Sequence, residues 1–339
     1  MSKTLANILK ITVSLGFGLF LVWLVMRKLT EKEISEITAS FQSAQYGWIF
    51  ISVLAGLFPL MSRAYRWQMM LEPLGYKPKF MNSFFAITIG YLVNLAVPRL
   101  GEVTRCGVMN RYEKVPFPAL LGTVFLERLI DVFFLFVLTF IVIATQYGLL
   151  SGFMAEKILT PLLSKFSGMQ NNAVFLLIIA TVVILLGGLI FYFLKAKFQA
   201  IYTKLMGMFK GFAEGLIAIR NIRNKGAFIF HSAFIWVMYV FMFYICFYAF
   251  PETAALPFVA VLAAFVFCTF GIIAVPGGIG AYPVILMLTL ELYGTPKTTG
   301  FAFGWLAWTS QTMVLLLVGI ASLILMPYFN KIKGEEKQT

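Results

Sequence analysis

The chain has 339 residues, of which 60% are hydrophobic and only 12% are charged, and its formal net charge is +13. A soluble domain carries about twice that charged fraction, so the composition excludes a soluble globular protein. It predicts a polytopic integral membrane protein whose excess Lys and Arg lie on the cytoplasmic side and do not bind nucleic acid.

Eight apolar segments follow one another along the chain, and several reach the ~20 residues with which a helix crosses a bilayer. The first begins like a signal peptide, but it runs into "RKLTEKEISE" without a cleavage pattern, so we expect a retained helix. In chain order the segments cover roughly residues 8–26, 47–62, 81–97, 118–145, 172–194, 227–250, 257–293 and 300–326.

The distribution of Lys and Arg indicates how many segments cross the membrane. If all eight cross, the most basic loop, 195–226, falls outside, against the positive-inside rule. If 81–97 and the broken segment 257–293 enter and return on one side, 20 of the 27 Lys and Arg lie inside and 6 outside, with Arg128 inside a segment. We therefore predict an all-α membrane bundle of about six spanning helices and two re-entrant hairpins, with both termini cytoplasmic. Residues 257–275 are nevertheless long enough to span outright.

The two proposed hairpins share a sequence feature. Ala-Val-Pro occurs at 96–98 and again at 274–276, a spacing of 178, and the same spacing aligns Gly122 with Gly300. Broken segments at corresponding positions of two halves are typical of inverted repeats around a transporter's midplane site. The alternative is two unrelated proline-containing loops.

We expect a single transmembrane domain over residues 1–330. The stretch 195–226 has one apolar helix face and is interpreted as a connector in the cytoplasmic interface. Residues 331–339 are expected to be a disordered tail.

Ionisable residues concentrate at the third and fourth segments, where each charge costs ~2.5–3.5 kcal/mol in the bilayer. Glu127 lies ~14 Å into the fourth segment, near the middle of a ~30 Å core. Its neighbours at helical spacing can also face the bundle interior, and a short helix after a proline would present a second group on one side. The two groups, which we expect to meet, are Glu127, Arg128 and Asp131, and Arg99, Glu102 and Arg105.

Two interpretations of these six residues remain open. In one they form a closed, neutral ion network that fixes helix packing. In the other the arginines receive an anionic group, because the planar guanidinium bonds two phosphate oxygens together. Further cations would then be needed, for which Arg63, Arg66, Arg111 and Lys114 are candidates.

The second hairpin contains "AVPGGIGAYP", which has no charge. Pro276 interrupts the helix, and Gly277, Gly278 and Gly280 permit a tight backbone. A half-helix that starts there points N–H groups into the membrane and can take an anion. The alternative is a turn that only lets two helices touch.

The inventory of reactive groups is poor. Three distant cysteines indicate neither a disulfide framework nor a metal site. The chain has one aspartate, Asp131, and one histidine, His231, whereas metal-dependent transfer enzymes need clustered ligands. We therefore expect no metal, no cofactor and no catalytic residue.

The stretches "VPRLGEVTR", "ERLID" and "VPGGIGAYP" resemble the flippase-like membrane domain of lysylphosphatidylglycerol synthases, over nearly the whole chain. The resemblance implies translocation of an anionic or modified phospholipid between leaflets, without aminoacylation, since the transferase domain of that family is absent from this sequence. By position it implies a substrate site in two halves, Pro98, Arg99, Gly101, Glu102, Arg105, Glu127 and Arg128, and Pro276, Gly277, Gly278 and Gly280.

The leading hypothesis is thus a flippase-like transporter in a bacterial inner membrane, acting on a phospholipid or lipid-linked substrate. Asp131 joins the site as a partner of the arginines. The alternatives are a membrane-embedded enzyme acting on polyprenyl phosphate or lipid headgroups, and a non-catalytic membrane subunit. The identity of the lipid, the energy coupling and the oligomeric state stay open.

Overall fold

The computed structural model describes residues 20, 22–27, 29–97, 99–153, 160 and 222–335. The expected segments 8–26 and 172–194 and the connector 195–226 fall wholly or mostly outside these residues, as does Pro98. Contacts divide the chain into two compact units, 1–145 with 221–339 and 146–220. Of the second unit only 146–153 and Thr160 are described, so the description below concerns the first.

The described residues form helices joined by short turns, with no strand among them. In chain order the helices are α1 (Glu31–Ser43), α2 (Tyr46–Ala55), α3 (Leu57–Leu71), α4 (Phe80–Ala96), α5 (Leu100–Glu113), α6 (Phe117–Phe153), α7 (Lys225–Phe247), α8 (Pro251–Ala254), α9 (Phe258–Ala274), α10 (Ala281–Glu291) and α11 (Lys297–Glu335). The last helix extends into the expected tail, whose residues 336–339 are not described.

Long apolar helices confirm the predicted polytopic helical membrane protein. Within the described residues four stretches are long and apolar enough to cross a membrane: Tyr46–Leu74, Phe117–Leu149, Lys225–Phe247 and Lys297–Lys331. Their outer faces carry exposed aromatic side chains such as Phe136 and Phe140, as expected where a helix contacts lipid.

One predicted boundary was wrong, and the error affects the site. The segment 47–62 was expected to end before the basic residues of "SRAYRW". Instead α3 continues to Leu71, and Arg63 and Arg66 are buried inside the first candidate span. Hydropathy alone ends the segment at the first arginine, whereas ion pairing with another helix allows the span to continue past it.

Two pairs of shorter helices form hairpins. In the first, α4 has 17 residues and α5 has 14; in the second, α9 has 17 and α10 has 11. Even the longest arm measures only about 26 Å at 1.5 Å per residue, less than a ~30 Å hydrocarbon core. These arm lengths favour re-entrant hairpins.

The two hairpins repeat each other at the spacing of 178 residues. Helices α4 and α9 begin and end at corresponding positions, and each is followed by an extended valine, Val97 or Val275. Two residues later the backbone is left-handed in both, with φ 67° and ψ −3° at Arg99 and φ 67° and ψ 0° at Gly277. The recurrence of Ala-Val-Pro therefore reflects a structural repeat.

Hydrogen bonds near the ends of the helices indicate that the hairpins start from opposite ends of the bundle. At the end where α9 starts, Gln45 N donates to Ala249 O at 2.9 Å. At the end where α4 starts, Asn82 and Asn330 exchange side-chain hydrogen bonds of 3.0 and 2.9 Å. The turn Pro276–Gly278 contacts α4, so the turn of the second hairpin meets the first hairpin.

Each hairpin closes around a glycine. A Cβ at Gly101 would collide with the carbonyl oxygen of Gly90, so α4 and α5 can cross this closely only without side chains there. In the second hairpin a Cβ at Gly271 would lie 2.5 Å from Ile285 Cδ1.

Candidate headgroup site

Five buried ionisable side chains from three helices meet in what we call the ion cluster. They are Arg63 and Arg66 of α3, Arg105 of α5, and Glu127 and Asp131 of α6. Arg63 Nη1 lies 2.5 Å from Glu127 Oε1 and 2.9 Å from Asp131 Oδ2. Arg66 Nη2 lies 3.0 Å from Asp131 Oδ1, and Arg105 Nη2 donates to Glu127 Oε2 at 2.8 Å. Glu127 therefore holds arginines from two different helices.

Helical spacing brings these groups together. Arg63 and Arg66 are three residues apart and Glu127 and Asp131 are four apart, so each pair lies on one face of its helix. Glu127 lies ten residues into α6, about 15 Å along its axis and thus deep in a ~30 Å core. At that depth a lone charge is too costly, and pairing makes the arrangement tenable.

Two more charged residues lie at the accessible side of the ion cluster, which we call the rim. The Arg128 side chain is 39% exposed and that of Glu102 is 25% exposed. Arg128 Nε lies 3.8 Å from Glu102 Oε1, and Arg128 Nη1 lies 3.7 Å from Asp131 Oδ2. These long separations make the rim pairs weaker than the buried ones.

Aromatic side chains hold the buried arginines in place. Arg63 Nε donates to Tyr239 Oη at 2.9 Å, and its guanidinium lies 5.9 Å from the ring centre of Tyr91. The Arg105 guanidinium lies 4.9 Å from the ring centre of Trp67, within cation–π range. Tyr239 belongs to α7, so a fourth helix contributes to the cluster.

The charges of the cluster and rim do not balance. Four arginines face three carboxylates, which leaves one positive charge in excess. The neutral balance predicted from the sequence was wrong because it included Arg99 and left out Arg63 and Arg66. Within the described residues, the buried Nε and Nη1 of Arg66 and the buried Nε of Arg105 have no hydrogen-bond partner. These N–H groups remain able to donate to an anion.

A small cleft opens beside Arg105 between α4, α5 and α6. Its volume is about 10 Å³, room for about one water molecule. It is lined by Ile87, Gly90, Tyr91, Asn94, Gly101, Glu102, Arg105 and Arg128. The cleft connects the rim with the N-terminal end of α5.

Asn94 organises that end of α5. Its side-chain oxygen accepts from Gly101 N at 2.8 Å, and its Nδ2 donates to Glu102 Oε2 at 3.3 Å. Gly101 is thus placed by its close helix crossing and by this cap, which is a structural role beside any role in binding. Asn94 was not expected from the sequence to be part of the site, although an asparagine two residues before the Ala-Val-Pro is a candidate cap.

Not every expected site residue joins the cluster. Arg99 is exposed at the turn of the first hairpin, and within the described part of the chain it makes no ion pair. Arg111 and Lys114 lie near the far end of α5, away from the cluster. Glu102, Arg105, Glu127, Arg128 and Asp131 come together as expected.

The glycine-rich turn of the second hairpin takes no part in the ion pairing. Its three glycines have φ of +67° at 277, +68° at 278 and +74° at 280, which side chains rarely adopt. Trp308 Nε1 donates to Gly277 O at 2.7 Å, so the turn is fixed to α11. In this arrangement the turn that begins at Pro276 is tied into the bundle, as the packing alternative expects.

The structure also shows a pair that sequence reasoning missed. Ser62 Oγ lies 2.8 Å from His231 Nδ1 and also donates to the carbonyl oxygen of His231 at 3.3 Å. Ser62 is buried, and the double contact ties α3 to α7. Among the described residues no group of three His, Cys, Asp or Glu is placed to hold a metal ion.

Comparison with known proteins agrees with this architecture. The UPF0104 membrane protein MJ1595 of Methanocaldococcus jannaschii is 30% identical over 92 residues, which are 26% of this chain and 26% of that protein. The match therefore spans about a quarter of the relative's length. No solved structure matches the chain. The model of the family described as lysylphosphatidylglycerol synthase TM region matches residues 7–319. Because this match covers nearly the whole chain, the protein belongs to the family of the lysylphosphatidylglycerol synthase transmembrane region.

Proposed function

We propose that this protein moves a phospholipid or lipid-linked molecule with an anionic headgroup between the leaflets of a bacterial inner membrane. The observation that carries the proposal is the excess positive charge of the ion cluster and rim. In a closed structural network three arginines would neutralise the three carboxylates. The fourth arginine leaves one positive charge, which a phosphate would balance.

The location of the excess charge favours the same function. The rim residue Arg128 is accessible, and the buried Nε of Arg105, which has no hydrogen-bond partner among the described residues, belongs to a side chain that lines the same cleft. A headgroup that pairs with Arg128 can reach Arg105 along the cleft between α4, α5 and α6. Since the cleft holds only about one water molecule, this step requires α6 to move away from the first hairpin.

The backbone of Arg99 gives a second line of support. A non-glycine residue at φ 67° is strained, and such strain is found where function requires a particular side chain. The second hairpin has glycine in the same conformation. We infer that Arg99 is retained at the hairpin turn as a further cation for the headgroup.

The acidic residues hold the arginines in position under this proposal. Glu127 and Asp131 fix Arg63 and Arg66, while Glu102 competes with the substrate for Arg128. The charge bias of the loops supports a cytoplasmic position for both termini.

The proposal is tested by reconstitution. Purified protein is placed in liposomes with fluorescent phosphatidylglycerol or phosphatidylcholine, and transbilayer movement is followed by quenching of the outer leaflet. The Arg128→Gln variant is preferable to changes at buried arginines because Arg128 is partly exposed and its loss leaves no deep carboxylate unpaired. Arg223→Gln is the matched control, since Arg223 is 85% exposed and its ion pair within the described residues is with Glu72, at 3.8 Å.

We expect wild type and Arg223→Gln to move phosphatidylglycerol faster than phosphatidylcholine. Arg128→Gln should lose about tenfold of that rate, as removal of one charged hydrogen bond predicts. Equal rates for Arg128→Gln and wild type would contradict the proposal.

A further inference from the structure

A second cavity lies on the other side of the first hairpin, and the site described above does not use it. This cavity, which we call the flank groove, has a volume of about 430 Å³, within the usual range of small-molecule sites. It is lined by Ile89 of α4, by Thr104, Gly107, Val108, Arg111 and Tyr112 of α5, and by Leu323, Met326 and Pro327 of α11.

The flank groove and the small cleft beside Arg105 occupy different faces of α4 and α5. On α5 the groove residues Thr104, Gly107 and Arg111 are spaced by three and four, which defines one face. The cleft residues of α5, Glu102 and Arg105, lie on another face, and the two cavities share no lining residue. An occupant of the groove therefore does not contact the ion cluster.

The wall of the groove suits a hydrocarbon chain. Ile89, Val108 and Met326 present apolar surface, and Gly107 leaves the centre open because a Cβ there would meet nothing within 4 Å. Leu323 is 48% exposed on α11, so the groove opens sideways toward lipid. An acyl chain that enters the groove exchanges its contacts with bulk lipid for van der Waals contacts with a protein surface of complementary shape.

The mouth of the groove carries polar groups. Arg111 is exposed, with its guanidinium 5.6 Å from the ring centre of Tyr112. Pro327 has no N–H and cannot donate to the carbonyl oxygen of Leu323, which lacks its usual helical partner. The guanidinium of Arg111 suits the phosphate of a lipid headgroup.

Two lysines lie close in sequence to the mouth of the groove. Lys114 follows Arg111 by one helical turn, and Lys331 follows Pro327 by one turn. Positive charge at a membrane surface attracts anionic lipid. The apolar wall and the basic mouth thus complement one molecule that is apolar at one end and anionic at the other.

We propose that the flank groove binds one anionic phospholipid, with an acyl chain against Ile89, Val108 and Met326 and its phosphate on Arg111. This site goes beyond the proposed transport function and does not depend on it. A protein that moved no lipid would still hold this one.

The test measures bound lipid directly. Delipidated protein in detergent is mixed with equal amounts of phosphatidylglycerol and phosphatidylcholine of identical chains, and the lipid retained is counted by native mass spectrometry. Gly107→Phe adds a ring to the wall of the groove at a position where a Cβ would meet nothing within 4 Å. Gly122→Phe is the matched control, because a Cβ at this glycine of α6 also meets nothing within 4 Å.

We expect wild type and Gly122→Phe to retain one phosphatidylglycerol with about tenfold preference over phosphatidylcholine, as a charge-assisted hydrogen bond predicts. Arg111→Gln should lose the preference, and Gly107→Phe should lose the bound lipid. Retention by Gly107→Phe equal to wild type, or no preference in wild type, would overturn the proposal.

Discussion

The two hairpins share the geometry of their first helix and of the start of their turn, and they differ in charge. Helices α4 and α9 have equal length, and both turns pass through an extended valine and a left-handed residue. The first hairpin has Arg99 in the left-handed position and sends Arg105 into the ion cluster. The second has Gly277 there and is free of charge through its turn.

The difference shows that the hairpin frame does not need the charges. In the second hairpin the frame is held by Gly271, by the three turn glycines and by Trp308. Ion pairs at such depth are weak contributors to net stability, because desolvation offsets their attraction. The charges of the first hairpin are therefore best explained by what they bind.

The comparison is most sharply tested by the side from which each hairpin starts. Lys77 precedes the first hairpin and Glu252 precedes the second, and both are exposed. In intact cells an impermeant maleimide should label Glu252→Cys fully and Lys77→Cys only after permeabilisation. The cysteines at 106, 246 and 268 are buried and serve as an unreactive background. Labelling of both variants without permeabilisation would contradict the inverted arrangement.

A large difference in stability is expected between two glutamates. Glu127→Gln leaves buried arginines without their anion and should lower the free energy of unfolding by about 3–5 kcal/mol. Glu291→Gln at the end of the second hairpin removes only an exposed pair with Lys297, at 3.3 Å, and should cost at most about 1 kcal/mol. Denaturant unfolding in detergent measures the change in the free energy of unfolding for both variants. Equal changes would show that the ion cluster does not hold the first hairpin against α6.

The glycines of α5 give an intermediate effect. Gly101→Ala forces α4 and α5 apart, since its Cβ would collide with the carbonyl oxygen of Gly90, and overpacking of this kind costs about 1–3 kcal/mol. Gly107→Ala meets open space on the same helix and should stabilise by about 0.5–1 kcal/mol. The midpoint temperature of thermal unfolding should fall for Gly101→Ala and rise for Gly107→Ala. Shifts of the same sign would show that α4 and α5 do not cross closely at Gly101.

A smaller effect separates the two turns. Gly277→Ala places a side chain in a left-handed conformation and should cost about 1–2 kcal/mol. Gly107→Ala is the matched control, because it adds the same methyl group to a residue within a regular helix. If Gly277→Ala has no measurable cost, the turns of the two hairpins are not under the same constraint.

Much of this fold could be predicted from the sequence. Hydropathy and charge bias indicated the membrane class and the two hairpins, because both signals act over whole segments. The spacing of Ala-Val-Pro at 96–98 and 274–276 indicated the repeat, since proline and small residues at a helix break mark backbone geometry directly.

The candidate site was only partly predictable. The spacing of Glu127 and Asp131 and of Glu102 and Arg105 indicated a shared interior face. The partners Arg63 and Arg66 were assigned to a loop, because hydropathy is averaged over neighbouring residues and does not include a carboxylate that pairs from another helix. Arg99 was grouped with the cluster on spacing and on the family resemblance, whereas the structure leaves it exposed at the hairpin turn in a left-handed conformation.

Substitution of Arg99 by glycine gives the first hairpin the residue of the second and so separates headgroup binding from backbone geometry. We expect Arg99→Gly to raise the free energy of unfolding by about 1 kcal/mol through relief of backbone strain, while phosphatidylglycerol movement in liposomes falls severalfold. A variant that is more stable and transports at the wild-type rate would show that Arg99 does not bind the headgroup.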